Sequence, residues 1–304
     1  MILVSVIIVN YNTKHLLKDC ISSIYKITQN VSFEIIVVDN NSEDGSESMV
    51  LDNFKEVIFI QSGSNLGFGN ANNLGLSVAK GEFIFFLNSD TILLNNAIKV
   101  LADFLTANPS VAVCGGNLFD INLNPAISFS QSLPGIGSDL DVLFGSFFSK
   151  LYYKNNIIFN HSKSPLLIDG FISGADMMIR KSILEKVGCF DPDFFMYYEE
   201  TELTWRIKKA GFKIASVPDA KIIHLEGASE SIKEKSINRS NKSKYLYYQK
   251  TNKSNLSALS HIIFTITAWT RITYFYLRAN STKYKYWQNI LKWTTEDYNH
   301  YKKI

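Results

Sequence analysis

The chain has 304 residues, of which 46% are hydrophobic, 13% aromatic and 19% charged. That composition can bury a large core and argues against a disordered or low-complexity chain, while 16 glycines and 6 prolines rule out a collagen-like repeat. The net charge of +3 hides an asymmetry: residues 1–229 hold 17 Lys and Arg against 24 Asp and Glu (−7), and residues 230–304 hold 14 against 4 (+10). Three cysteines (Cys20, Cys114, Cys189) without C-x-x-C spacing argue against a disulfide framework or a cysteine-built zinc site, and fit a reducing cytoplasm. The apolar start stops at Asn10 and lacks a basic leader, so no secretory signal is expected.

In chain order, residues 4–9 and 34–38 read as β-branched strands separated by a helix that carries Leu16, Leu17, Cys20, Ile21 and Ile24 at helical spacing, which makes a βαβ unit. Further strands are predicted at 57–61, 82–87 and 111–114, with helices at 70–79 and 95–107 between them. The strands are continuously apolar, as in a sheet buried on both faces. Residues 116–165, rich in Asn, Ser and Gly, read as a mobile loop region on the acceptor side. Regularity returns at 166–180, with helices at 181–187 and 202–210, the second stopped by Gly211, and a strand pair at 212–217 and 221–225. From Ser236 the pattern is helical, basic and aromatic. Its weakly charged stretch 256–277 is interrupted by His261 and Arg271 and falls short of about 20 clean apolar residues, so crossing a bilayer is not expected, which leaves two readings: in-plane association with an anionic inner leaflet, or a helical packing or dimer interface.

Ligands of open α/β sheets gather beyond the carboxyl ends of the strands. After the first predicted strand comes Asn10-Tyr11-Asn12; after the second, residues 39–46 begin Asp39-Asn40-Asn41-Ser42; after the third, residues 63–73 include Asn65, Gly67 and Asn70; and the fourth ends in Asn88-Ser89-Asp90-Thr91. Each segment alone is explained by turns and caps. Together they set an aromatic face, amide donors, glycines and a carboxylate on one rim, a combination that suits a nucleoside diphosphate. Gly67-Phe68-Gly69 is not a dinucleotide fingerprint, because Asn72 replaces the third glycine and the loop follows the third strand. No G-x-S-x-G elbow is present.

In this order, the runs at 4–12, 37–42, 65–73 and 86–90, then Gly174-Ala175, residues 188–191, 195–200 and 224–229, resemble family 2 inverting glycosyltransferases, particularly the rhamnosyltransferase-like and galactofuranosyltransferase-like members, over roughly residues 3–230. The resemblance implies an α/β GT-A fold, a Rossmann-like mixed sheet flanked by helices, with a C-terminal helical extension. The expected division is a catalytic domain at 1–230, with a nucleotide-sugar half at 1–115 and an acceptor half at 116–230, followed by a basic, aromatic helical region at 231–304.

By that resemblance Tyr11 would stack on a pyrimidine and Asp39 would accept its imide N–H, while Asn41, Asn65, Gly67 and Asn70 would approach the ribose and diphosphate. Asn88-Ser89-Asp90 stands at the metal motif, with Asn88 in place of its first acid. Asp90 and His224, the latter followed by Gly227 and Ser229, would hold Mn²⁺ or Mg²⁺. Glu200 would be the catalytic base. It stands where the family carries Asp, so the division of roles between Glu199 and Glu200 stays open, as does the choice between site support and packing for Trp205 and Arg206. The implied activity is sugar transfer from a UDP- or dTDP-sugar to a hydroxyl of a glycan or lipid-linked acceptor in cell-surface polysaccharide synthesis, in the cytoplasm or at the inner membrane face. Membrane contact or a homodimer through the C-terminal region is expected and nucleic acid is not. The alternative is a non-catalytic nucleotide-sugar-binding or membrane-associated relative.

Overall fold

A computed structural model describes residues 2–225, 233–251 and 254–301. Strands and helices alternate first: β1 (Val4–Asn10), α1 (Lys14–Ile27), β2 (Phe33–Asp39), α2 (Ser46–Asn53), β3 (Ile58–Gln61), α3 (Gly67–Leu76) and β4 (Phe83–Asn88). β1 pairs in parallel with β2 and β4, and β2 with β3. Side chains alternate across a strand, so a doubly covered strand is apolar on both faces along most of its length. Val4, Val6 and Ile8 accordingly pack with Leu17, Ile21 and Ile24 of α1, and Ile7 packs on the other face with Val38, Phe86 and Ala71 of α3.

The chain continues through β5 (Thr91–Leu93), α4 (Ala97–Ala107), β6 (Val111–Phe119), β7 (Phe129–Ser130), α5 (Ile136–Leu143), α6 (Phe147–Tyr153), β8 (Leu166–Ile168), β9 (Phe171–Ile172), β10 (Asp176–Arg180), α7 (Lys181–Val187), α8 (Glu199–Lys209) and β11 (Lys213–His224). It then forms α9 (Lys233–Lys250), α10 (Ser254–Leu277) and α11 (Ser281–Tyr301). The main sheet runs β3-β2-β1-β4-β10-β6-β11-β5, with β8 paired to β11. It is mixed because β10 is antiparallel to both β4 and β6. This reversal positions the site: Asp176 lies opposite Leu87, so the preceding Gly174-Ala175 reaches the carboxyl end of β4. β5 runs antiparallel to β11 and pairs Thr91 with His224.

Two compact units result. One comprises Met1–Ser132, Asn155–Phe195 and Glu199–Ser229; the other comprises Leu133–Lys154, Met196–Tyr198 and Glu230–Ile304. In the second, α5 offers Asp139 to Lys244 Nζ at 3.0 Å and to the Tyr248 hydroxyl at 3.3 Å.

Several expectations need correction. Residues 116–165 are not one loop region: they contain the end of β6, β7, α5 and α6, and α5 is fixed by residues more than a hundred positions away. The expected strand pair at 212–225 is a single strand, because β11 absorbs Pro218 and Asp219 in a register shift between Ser216 and Lys221. β6 crosses the 115/116 division, and the 230/231 division falls among residues outside those described.

Asp176 is fully buried at the head of β10, with Oδ2 accepting the Gly116 N–H at 2.5 Å and Oδ1 without a partner. Burial raises its pKa well above the carboxylate range, opposed by the Gly116 hydrogen bond. Below about pH 4 both folded and unfolded states are protonated; above it the unfolded chain ionises and the folded one resists, so stability falls as pH rises toward the folded pKa. Asp176→Asn, an isostere of the neutral acid, is expected to raise Tm at pH 7–8, with the gain vanishing near pH 4 in thermal melts across that range.

Candidate active site

At the carboxyl ends of β1 to β3, Tyr11, Asn12, Asn40, Asn41, Glu43 and Asn65 line an open polar cavity of about 320 Å³. Tyr11 is 48% exposed, a large ring left in water at the cavity edge. Asn12 and Asn41 both adopt left-handed backbone conformations, which asparagine tolerates better than most residues. Their turns are tied together: the Asn12 N–H donates to Ser42 Oγ at 2.8 Å, and the Glu43 N–H to Asn12 Oδ1 at 2.8 Å.

Asp39, expected to meet the base, directly precedes Asn40 and Asn41 of the cavity lining and has no exposed surface. Its carboxylate accepts from Asn10 Nδ2 at 2.7 Å, from the Ser42 N–H at 2.7 Å and from Gln61 Nε2 at 3.4 Å. In this arrangement it braces the loops that carry Tyr11 and Asn41. The network extends further, because Thr13 Oγ1 donates to Asn10 Oδ1 at 2.6 Å and lies 3.0 Å from Ser89 Oγ. A continuous chain of hydrogen bonds thus joins Asp39 to Ser89.

Next to Ser89, Asp90 is almost buried, and its Oδ1 lies 3.3 Å from His224 Nε2. Asn88 Nδ2 lies 3.3 Å from the same nitrogen. One tautomer cannot satisfy both contacts: accepting from Asn88 needs a bare Nε2, whereas donating to Asp90 needs a protonated one. A bare imidazole nitrogen beside a carboxylate oxygen is a donor pair for a divalent cation, and their spacing is close to that of neighbouring ligands on one octahedral ion, about 3 Å. The residues therefore fit a metal. Among the described residues no cluster of three or more His, Cys, Asp or Glu could hold an ion. Gly227 and Ser229 lie outside the described residues.

Gly67 has φ +80°, and a Cβ there would sit 2.1 Å from the Phe195 carbonyl oxygen. That oxygen accepts the Phe68 N–H at 2.9 Å. Gly67 is thus required for a close approach within the protein. Asn65 Oδ1 accepts the Gly67 N–H at 3.0 Å and shapes the start of α3. Asn70 donates to the Pro192 carbonyl at 3.0 Å, and Asn73 to that of Phe190 at 2.8 Å. The asparagine-rich start of α3 therefore holds the loop at 188–195, which leads toward the acids.

Helix α8 begins at Glu199, three residues earlier than the sequence suggests, after Tyr197 and Tyr198 at φ +71° and +68°. Two consecutive bulky residues in this region are strained. Glu199 is buried with Oε2 unpartnered among the described residues, and burial, then the neighbouring Glu200 charge, push its pKa well up. Glu200 is only partly covered, its Cγ lies 3.9 Å from where a Cβ on Gly174 would be, and burial also raises its pKa. The next residue, Ala175, accepts the Asn88 N–H at 3.0 Å. Glu200 therefore lies near the Gly174-Ala175 segment that bonds the end of β4.

Arg206 is a brace: Nη2 bonds Glu202 Oε2 at 2.7 Å and the Cys189 carbonyl at 2.5 Å, and Nη1 bonds the Val187 carbonyl at 2.5 Å. Trp205 carries Lys209 Nζ 5.0 Å above its ring, which is packing. Sequence reasoning left out Thr13 and gave no role to Asn40 and Asn73. Asn40 Nδ2 donates to the Gly67 carbonyl at 3.0 Å, and its place directly after a buried strand was the available signal.

The mixed sheet with helices on both faces is a fold of the GT-A class. Residues 5–188 match the family described as Glycosyl transferase family 2, and the chain belongs to it. Over 210 residues it is 27% identical to the N-acetylglucosaminyl-diphospho-decaprenol L-rhamnosyltransferase of Mycobacterium tuberculosis, covering 64% of this chain and 67% of that protein. It is 25% identical to the low-salt glycan biosynthesis hexosyltransferase Agl10 of Haloferax volcanii over 237 residues, 75% of this chain and 68% of that one. Among solved structures it is similar to the mannosyltransferase PcManGT of Pyrobaculum calidifontis in complex with GDP-Man and Mn²⁺, with a TM-score of 0.59 at 16% identity, covering 97% of this chain and 85% of that chain.

Proposed function

We propose that the chain is an inverting, metal-dependent glycosyltransferase that moves a sugar from a UDP- or dTDP-sugar to a hydroxyl of a glycan or lipid-linked acceptor in cell-surface polysaccharide synthesis. One observation carries the reading: Asn88 meets His224 with its side chain and Ala175 with its N–H, so the Asp90–His224 pair and the acid beside Gly174 share one strand end. Tyr11 stacks on the base, Asn41 and Asn65 border it, and Asp39 keeps their loops in place. Asp90 and His224 hold Mn²⁺ or Mg²⁺, which when bound neutralises charge on the leaving diphosphate. Glu200 takes the proton of the acceptor hydroxyl as that oxygen bonds to C1 and the C1–O bond to phosphate breaks. The named activity of the mycobacterial relative, on a diphospho-decaprenol acceptor, and the Mn²⁺ bound to the mannosyltransferase support this reading. Three free cysteines suit a site of action on the cytoplasmic side.

A thermal-shift screen of UDP-, dTDP- and GDP-sugars with and without Mn²⁺ tests it. One pyrimidine donor is expected to raise Tm in a Mn²⁺-dependent way, by about 2.7 kcal/mol of stabilisation at a hundred times its Kd. Asp90→Asn and His224→Ala are each expected to weaken the Mn²⁺-dependent part by at least tenfold. A response only to GDP-sugars, or one unaffected by metal in the parent chain, would contradict the assignment.

A further inference from the structure

Helix α10 carries a row of large apolar side chains that nothing in its own unit covers. Leu259, Ile262, Ile266, Trp269, Tyr276 and Leu277 are 44–77% exposed, and at 100° per residue they fall within an arc of about 100°. The opposite face is buried: Ser260, Ile263, Thr267 and Ile272 pack inside the unit, and Arg271 on that side reaches back to the Val142 carbonyl at 3.2 Å. The row therefore contains no charge and runs for about 27 Å at 1.5 Å per residue. An exposed apolar row of this length marks an interaction surface.

We infer that this face of α10 lies in the plane of an anionic lipid surface, apolar row inward. Charge selects the occupant. Residues 230–304 carry +10, so a second copy would set like charge against like, whereas an anionic bilayer is complementary. The turn after the row adds exposed Arg278, and the start of α11 adds exposed Lys283 and Lys285, at the level where headgroups would lie. Trp269 and Tyr276 are the ring types that settle at a membrane–water boundary. Among the described residues no helix is long and apolar enough to cross a membrane, so the row fits an in-plane orientation.

The inference does not depend on the transfer chemistry, because vesicle binding needs neither donor nor metal. Flotation of the full chain with vesicles of phosphatidylcholine, with and without phosphatidylglycerol, tests it. Association with the anionic vesicles that weakens with salt is expected. Ile262→Glu/Ile266→Glu is expected to reduce it more than tenfold, and Ile121→Glu, an exposed site in the other unit, to leave it unchanged. Lys283→Glu/Lys285→Glu, which leaves the apolar row intact, should weaken binding to anionic vesicles, and so keeps the test open if the isoleucine double variant does not fold. The inference fails if the parent chain ignores anionic vesicles, if charge reversal leaves binding intact, or if the chain is a dimer that the isoleucine substitutions dissociate while vesicles are not bound.

Discussion

Glu200→Gln is expected to lower the transfer rate by about 100- to 10,000-fold, the usual contribution of a positioned general base, while leaving the Mn²⁺-dependent donor shift in Tm intact. The amide keeps the shape of the side chain but cannot accept the hydroxyl proton. Glu199→Gln should have the smaller effect on transfer, because Glu199 is buried with an unpartnered oxygen and burial favours its neutral form. Burial also raises the pKa of Glu200, and the base works only when ionised. Activity should therefore fall with decreasing pH at values above those of an ordinary exposed carboxylate, and the remaining Glu200→Gln activity should lose that limb. Assays of both variants across pH decide the roles. Loss of transfer in Glu199→Gln with normal rates in Glu200→Gln would move the base to Glu199.

The parts of this arrangement that were legible in the sequence are those with local causes. β1, β2 and β4 carry the apolar runs 6–9, 35–38 and 83–87 because both faces are covered, and the polar residues that follow them mark the carboxyl rim. Asp90 and His224 were paired from motif resemblance, and they lie 3.3 Å apart. What escaped depends on distant partners. Helix α5 has no buried face of its own sequence to reveal it and is fixed by Asp139 bonding to Lys244 and Tyr248. Pro218-Asp219 looked like a turn, yet β11 carries both through a register shift. Helix α3 starts at Gly67 instead of Asn70 because the Asn65 side chain receives the Gly67 N–H, a local bond that does not resemble a Ser or Thr cap. The bonds of Asp39 to Asn10 and Gln61, which bury it, are concealed by sequence distance.

Gly67→Ala is expected to cost about 3 kcal/mol of stability and to depress transfer with it. A left-handed residue other than glycine costs about 1–2 kcal/mol by itself. Here the added Cβ would also lie 2.1 Å from the Phe195 carbonyl oxygen and 2.9 Å from its carbon, both backbone atoms that cannot rotate away. The Phe68 N–H bond to that carbonyl would have to lengthen, and the displaced segment stands four residues before Glu199. Gly63 separates the two costs: it has φ +76° with nothing within 4 Å of a Cβ, so Gly63→Ala should show only the conformational cost, about 1 kcal/mol. Denaturant unfolding of the two variants side by side measures the difference. Equal losses would mean that the 188–195 loop is not seated on α3 as described, and a large loss confined to Gly67→Ala, with reduced kcat in the fraction that folds, would tie the placement of the acid pair to that single missing methyl group.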